Sequence, residues 1–178
     1  GRTLTLAAYA RSGGVRGAVG RHAEAAFRSL DADDRLVARR VLLRLVGGEE
    51  ALTRRRVTRA ELDADEDERV SRVLSVLTER RLLVADGDSV ELIHEALLQH
   101  WPRLRAWLEE DAQGRLVHLR LAQAAAEWEG SGREPGELYR GARLAAAVEW
   151  ADSAGAGTLN RLERDFLDES RRASARAT

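Results

Sequence analysis

The stretch LLVADGDSVELI, residues 82–93, decides which fold the sequence predicts. Two apolar runs, Leu82–Ala85 and Val90–Ile93, flank the four residues DGDS at 86–89. An Asp-Gly pair between two apolar runs is a strong short-range signal for a β-hairpin. The stretch therefore predicts a small antiparallel hairpin.

Two amphipathic helices are predicted well before this hairpin. The first runs from about Val15 to Leu30, where small and apolar residues recur at helical spacing. The second begins after Asp31, which reads as an N-cap, and ends at Gly47-Gly48. Its predicted apolar stripe consists of Leu36, Val37, Val41, Leu42 and Leu45.

The region between the second helix and the hairpin completes a recognisable order of elements. After a loop, Arg56-Val57 is predicted as a short strand, and Thr58 as the N-cap of a short helix with Glu61 at its third position. A third apolar stripe follows at Val70, Val73, Leu74 and Leu77. Helix, strand, short helix, helix and hairpin is the order of a winged helix.

The rest of the chain is predicted to be helical. Leu97, Trp101, Leu104 and Leu108 line one helical face, which Pro102 interrupts because it cannot donate a backbone N–H. Three further helices are predicted at about 113–129, 137–151 and 158–172. The predicted fold is mainly α: a winged-helix core with a small β-hairpin wing, followed by an all-helical bundle or linker. The predicted domains are residues 1–30, 31–111 and 112–178.

Composition excludes several classes of chemistry. All 29 basic residues among the 178 are Arg, and the chain contains no Lys, Cys or Met. A Walker A loop, a Schiff-base enzyme, a disulfide frame and a thiolate metal site are therefore excluded. Because the chain opens on Gly and contains no Met, we expect it to be a piece of a longer polypeptide. The lack of Cys favours a cytoplasmic location, and no apolar run approaches the ~20 residues of a membrane span.

Three other patterns resemble known functional motifs but lack the residues or the context that those motifs require. The glycine-rich run at Ser12–Gly20 lacks the βαβ frame of a dinucleotide site and is better explained by close helix packing. The acidic run at Asp63–Glu68 fails as a calcium loop, because Glu68 stands where glycine is required. The four histidines have no metal-ligand spacing, so no metal site is predicted, and no G-x-S-x-G elbow supports hydrolysis.

The charge distribution argues against DNA binding. Residues 31–110 carry 14 Arg and 18 acids, a net charge of −4, and five carboxylates precede the helix that winged helices use to contact DNA. Residues 1–30 carry a net charge of +4, from five Arg and one Glu. A cluster of arginines is a candidate docking surface: Arg54, Arg55, Arg56 and Arg59. These side chains are expected to pair either with neighbouring acids of the chain or with an acidic surface of a partner.

The most specific motif follows the hairpin. Residues 94–98 read HEALL, residues 101–104 read WPRL, and Trp107-Leu108 follow. These residues resemble the signature of the novel STAND NTPase family of bacteria, in which they close the winged-helix part of a multidomain signalling ATPase. The segments GRTLTL at 1–6, with Tyr9 and Gly13-Gly14-Val15, and LYRGARL at 138–144, with Trp150, resemble that family too.

The resemblance implies a role for two residues. Ile93-His94-Glu95 looks like the Met-His-Asp motif of STAND relatives in plant and animal immunity, where the histidine reaches the β-phosphate of bound ADP and helps to hold the inactive state. His94 and Glu95 are therefore candidate nucleotide-sensing residues, although Ile replaces Met and Glu replaces Asp. The alternative is that His94 caps the following helix or packs under the wing.

The resemblance also implies the context in which this chain works. A P-loop domain that holds ADP or ATP with Mg is expected upstream, and a sensor, frequently a WD-repeat propeller, downstream. The chain itself is expected to have no catalytic activity and no cofactor, and self-association belongs to the active parent protein in this interpretation. A DNA-binding winged-helix regulator is the alternative function, and a helical protein-interaction adaptor is a weaker third.

Overall fold

The computed structural model describes residues 14–63, 65–155 and 157–178, and it divides them into two compact units. The first unit contains the described residues up to Leu62 together with Glu66–Glu110, and the second contains those of Asp111–Thr178 with the short piece at 63–65. The boundary after Glu110 lies one residue before the predicted boundary at 111. The predicted segment 1–30 is represented by one helix, whose residues Ala23 and Phe27 lie in the core of the first unit.

The first unit consists of helices with a small amount of strand. Its helices are α1 (Gly14–Arg28), α2 (Ala32–Arg44), α3 (Arg59–Leu62), α4 (Glu68–Glu79), α5 (Ala96–His100) and α6 (Pro102–Glu110). Its strands are β1 (Val46–Gly47), β2 (Thr53–Arg54), β3 (Val57–Thr58), β4 (Leu83–Asp86) and β5 (Ser89–Leu92). From α2 onward this is the predicted order, with the pair β1 and β2 added.

The predicted hairpin is confirmed. Strands β4 and β5 pair antiparallel, with Leu83 opposite Leu92 and Asp86 opposite Ser89, so Gly87 and Asp88 form a two-residue turn. Gly87 has a φ of +61°, a left-handed conformation that glycine adopts without steric cost. Strand β3 adds to β5 on its other side, which gives a three-stranded sheet in the order β3-β5-β4.

The sequence did not predict the second sheet, in which β1 and β2 pair antiparallel. Val46 lies opposite Arg54, and Gly47 opposite Thr53. Two-residue strands are too short to show the alternation of apolar and polar residues that marks a strand. Because β1 begins at Val46, helix α2 ends at Arg44. The sequence had predicted its end at Gly47-Gly48.

Most residues of the predicted apolar stripes form the core of the first unit, but Val15 on α1 is 68% exposed and α2 has a further exception. Val70, Val73, Leu74 and Leu77 of α4 are all buried. On α2, Val37 and Val41 are buried, but Leu36 is 63% exposed, so its place in the stripe was wrong. At about 100° per residue, Leu36 lies on the side of the helix opposite the buried positions.

Pro102 separates α5 from α6 as predicted. Trp101, at the end of α5, has extended backbone angles, and Pro102 opens α6. Leu97, Trp101, Leu104 and Leu108 are nevertheless all buried, so the two short helices present a continuous apolar surface to the core.

The second unit is helical over its described residues. It contains α7 (Ala112–Gly130), a 3₁₀ turn at Pro135–Glu137, α8 (Gly141–Ser153) and α9 (Arg161–Ala177). Its core is formed by Leu121, Ala125, Trp128, Leu138, Tyr139, Leu144, Ala147, Phe166 and Leu167. Helices α8 and α9 start later than predicted, because the chain at 135–137 forms the 3₁₀ turn and Asn160 closes a capping box with Glu163. The chain is therefore mainly α, as predicted.

Candidate functional site

His94 and Glu95 lie in the turn that joins β5 to α5. The carbonyl of His94 accepts a hydrogen bond from the Leu97 amide at 3.3 Å, and that of Glu95 accepts one from the Leu98 amide at 3.0 Å. These bonds form the first turn of α5, so both residues belong to a structured connection between the β4–β5 hairpin and the helix.

The side chains of both residues are exposed. The imidazole of His94 makes no hydrogen bond to any residue that the structure describes, and it is too exposed to be packed under the wing. Glu95, rather than His94, occupies the N-cap position of α5, and its carboxylate makes no capping bond. The His94 side chain therefore neither caps α5 nor packs under the hairpin.

The side chain of Arg54, on β2, reaches the end of strand β5. Its Nη1 donates hydrogen bonds to the carbonyl oxygens of Leu92 at 3.2 Å and Ile93 at 3.3 Å. The Ile93 carbonyl belongs to the peptide unit that continues into His94. One predicted docking residue thus contacts the backbone that carries the predicted sensing residue.

The other three docking candidates have partners inside the first unit. Arg55 makes a bidentate pair with Glu61, at 2.7 and 2.8 Å. Arg56 pairs with Glu91 at 3.1 Å, and Arg59 donates to the hydroxyl of Ser71 at 3.2 Å. A docking role for these arginines stays a prediction.

A cluster that the sequence reading missed is centred on Glu24 of α1. Arg103 donates two hydrogen bonds to its carboxylate, at 2.8 and 2.6 Å, Trp101 donates its indole N–H at 3.1 Å, and Arg28 adds a bond at 2.7 Å. The Arg103 guanidinium lowers the pKa of Glu24 to about 2, and Trp101 and Arg28 act in the same direction against partial burial. Two residues of the WPRL motif therefore hold α1 through a single carboxylate.

Gly20 explains part of the glycine-rich run. It lies on α1, where a Cβ atom would collide with the backbone carbonyl oxygen of His100 at the end of α5. The interpretation that small residues permit close helix packing is supported at this position. Residues Ser12 and Gly13 of the run lie outside the described residues, as do the GRTLTL segment and Tyr9.

The acidic run at 63–68 ends at Glu68, the first residue of α4, and it supplies the helix cap. The carboxylate of Asp67 accepts a hydrogen bond from the Arg69 amide at 2.9 Å. The arginines of α4 face acids of α2: Arg72 binds both oxygens of Asp34, at 3.0 and 2.8 Å, and Arg69 lies 3.2 Å from Asp33. Arg72 lowers the pKa of the buried Asp34 carboxyl.

The described part of the chain contains neither a cluster of metal ligands nor a helix that could span a membrane. No three His, Asp or Glu side chains in that part of the chain lie close enough together to hold a metal ion. None of the described helices is both long enough and apolar enough to cross a membrane.

Comparison with known proteins places the chain in a family. A family model described as Novel STAND NTPase 1 matches residues 1–136, which include the whole first unit and all of α7. The LYRGARL segment at 138–144 and Trp150 lie outside the matched range. Neither the curated proteins nor the solved structures contained a match. Since the model covers well over half of the 178 residues, the chain belongs to the novel STAND NTPase family.

Proposed function

We propose that this chain is a non-catalytic regulatory module of a STAND signalling ATPase. It couples the nucleotide state of a P-loop domain, closed with ADP and open with ATP, to a C-terminal sensor such as a WD-repeat propeller. In this proposal the first unit is a winged helix, with β4 and β5 as its wing. The observation that carries the proposal is the exposed imidazole of His94, held on a structured turn directly after the wing.

The chemistry of His94 suits a contact with a phosphate group. An imidazole N–H donates a hydrogen bond to a phosphate oxygen, and such a bond biases an equilibrium between two domain arrangements if it forms in only one of them. The nucleotide and its Mg belong to the P-loop domain, because no lysine of these 178 residues can supply the phosphate-binding side chain of a Walker A loop. The proposed partners are therefore other domains of the same protein.

The test is the rate of ADP release from a protein that contains both this chain and its P-loop domain. We expect His94→Ala to speed the release of a fluorescent ADP about tenfold or more, because a hydrogen bond to a charged group contributes about 1.5–3 kcal/mol. His94→Gln, which keeps a donor, should release ADP at a rate between those of His94→Ala and the wild type.

Gln99→Ala is the matched control, because Gln99 is an exposed residue of the same segment. It should leave the rate unchanged. Equal release rates for wild type and His94→Ala would refute the proposed role of His94.

A further inference from the structure

We propose that Arg54 is a positioning residue for His94, which fixes the backbone of the turn so that the imidazole is presented in one orientation. This inference rests on the proposed function and extends it to a residue outside the sequence motif. It is carried by the two hydrogen bonds from Arg54 Nη1 to the carbonyls of Leu92 and Ile93.

The backbone before His94 is held from two sides. On the hairpin side, the Ile93 amide donates to the Leu82 carbonyl at 3.0 Å, and Leu92 is paired with Leu83. On the other side, Arg54 donates to the carbonyl of Ile93 itself. Because a peptide unit is planar, fixing the Ile93 carbonyl also fixes the direction in which the chain enters His94.

The backbone after His94 is held by the first turn of α5, through the Leu97 amide. The main chain of His94 is thus fixed on both sides while its side chain stays exposed. This arrangement lowers the entropy that the imidazole would lose on binding a phosphate, since the turn does not have to be ordered at that moment.

Arg54 is itself well anchored. Its backbone pairs with Val46 in the β1–β2 ladder, and the next amide, that of Arg55, donates to the Leu45 carbonyl at 2.8 Å. The long side chain therefore spans from a fixed strand to the wing. A lysine has a single flexible ammonium group in place of the planar guanidinium, so it cannot reproduce this contact in full.

Arg56 provides a matched control two residues away. It also reaches strand β5, but it pairs with the carboxylate of Glu91, at 3.1 Å, rather than with the backbone next to His94. Removing Arg56 takes away the same charge from the same region, and it leaves the turn anchored.

The first experiment measures amide hydrogen exchange by NMR in this chain. We expect Arg54→Ala to speed the exchange of the Leu97 and Leu98 amides about tenfold, as loss of a charge-assisted hydrogen bond should when the turn opens locally. Arg54→Lys should give a smaller increase, and Arg56→Ala none. The amides of Val73 and Leu77, in the core of α4, should exchange at wild-type rates in all three variants.

Unchanged exchange at Leu97 and Leu98 in Arg54→Ala would overturn the inference, and so would an equal increase in Arg56→Ala. If Arg54→Ala unfolds the first unit, the α4 amides will exchange faster too. The exchange rates of the Leu97 and Leu98 amides in Arg54→Lys are then the test of the inference. A local increase confined to the turn supports the inference in that variant, and no increase overturns it.

The second experiment separates this inference from the proposed function. In the protein with its P-loop domain, Arg54→Ala should speed ADP release in the presence of His94 and add nothing to His94→Ala. An equal acceleration on both backgrounds would overturn the positioning role. If His94→Ala leaves the rate of ADP release unchanged, the proposed function fails. The hydrogen-exchange measurements then still test whether Arg54 fixes the backbone of the turn.

Discussion

Glu24 shows how a single side chain connects distant parts of the sequence. It is the one acidic residue among the first 30, and it lies 77 residues from Trp101 and 79 from Arg103. Its carboxylate is partly buried, and three different side chains donate hydrogen bonds to it. Charge-assisted bonds of this kind are about twice as strong as neutral ones. The WPRL motif therefore has a structural role that is independent of any nucleotide.

We predict that Glu24→Gln lowers the free energy of unfolding at pH 7 by about 2 kcal/mol, because it removes the charge to which Arg103 is paired. The pKa of Glu24 is about 2 in the folded protein, against 4.5 as its ordinary value. The contribution of its charge is therefore complete above about pH 4.5 and is lost as the pH falls towards 2. Urea unfolding across this range measures both effects.

The stability difference between wild type and Glu24→Gln should accordingly narrow between pH 4.5 and 2. Glu109→Gln is the control, since Glu109 is 72% exposed and lies 3.8 Å from Arg105. That variant should unfold with the wild-type free energy at every pH. A Glu24→Gln protein as stable as wild type at pH 7 would contradict this account of the cluster.

Among the elements, α5 occupies a central place despite its five residues. Its first turn holds His94, its last residue lies against Gly20 of α1, and Trp101 directly follows it. The turn at His94 and helix α1 are therefore both in contact with the same short helix.

We predict that Gly20→Ala destabilises the first unit by about 1–3 kcal/mol, the usual cost of forcing extra atoms into a closely packed contact. The clash is with a backbone carbonyl, which a change of side-chain rotamer cannot relieve. This cost should outweigh the gain of up to about 1 kcal/mol that alanine brings to a helix. Thermal unfolding followed by circular dichroism measures the difference.

Gly130→Ala is the matched substitution at the end of α7, where a Cβ atom would have nothing within 4 Å. It should be neutral or stabilising by up to about 1 kcal/mol. The explanation of Gly20 by close packing would be wrong if the two alanine variants changed stability by the same amount.

Some secondary-structure elements could be predicted from the sequence, and others could not. The α4 stripe and the hairpin were predictable because local periodicity and turn chemistry determine them. The β1–β2 ladder was not, because two-residue strands carry no pattern. The contact of Glu24 with Arg103 and that of Arg54 with Leu92 could not be predicted either, because the paired residues lie 79 and 38 positions apart in the sequence. His94 could be found only by resemblance, because a lone histidine in a turn has no periodic signal.

At the scale of the whole molecule, charge is balanced overall but unevenly distributed. The chain has a net charge of −1, and the turn between β4 and β5 is acidic at Asp86 and Asp88. The positive side chains of α4 are paired with acids of α2 at Asp33 and Asp34. In the winged helix that we propose for the first unit, the two surfaces that would contact DNA, the hairpin turn and α4, are therefore either negative or neutralised.

We predict that the chain does not bind nonspecific duplex DNA, even at about 50 mM salt, where phosphate contacts are strongest. Fluorescence anisotropy of a labelled duplex, repeated at about 200 mM salt, measures this directly. The double variant Glu66→Gln, Glu68→Gln removes two exposed carboxylates in front of α4 while Asp67 keeps its cap. It should raise any residual affinity only slightly, since the α4 arginines stay paired. Tight wild-type binding that weakens linearly with the logarithm of salt concentration would instead favour the DNA-binding regulator over the regulatory module.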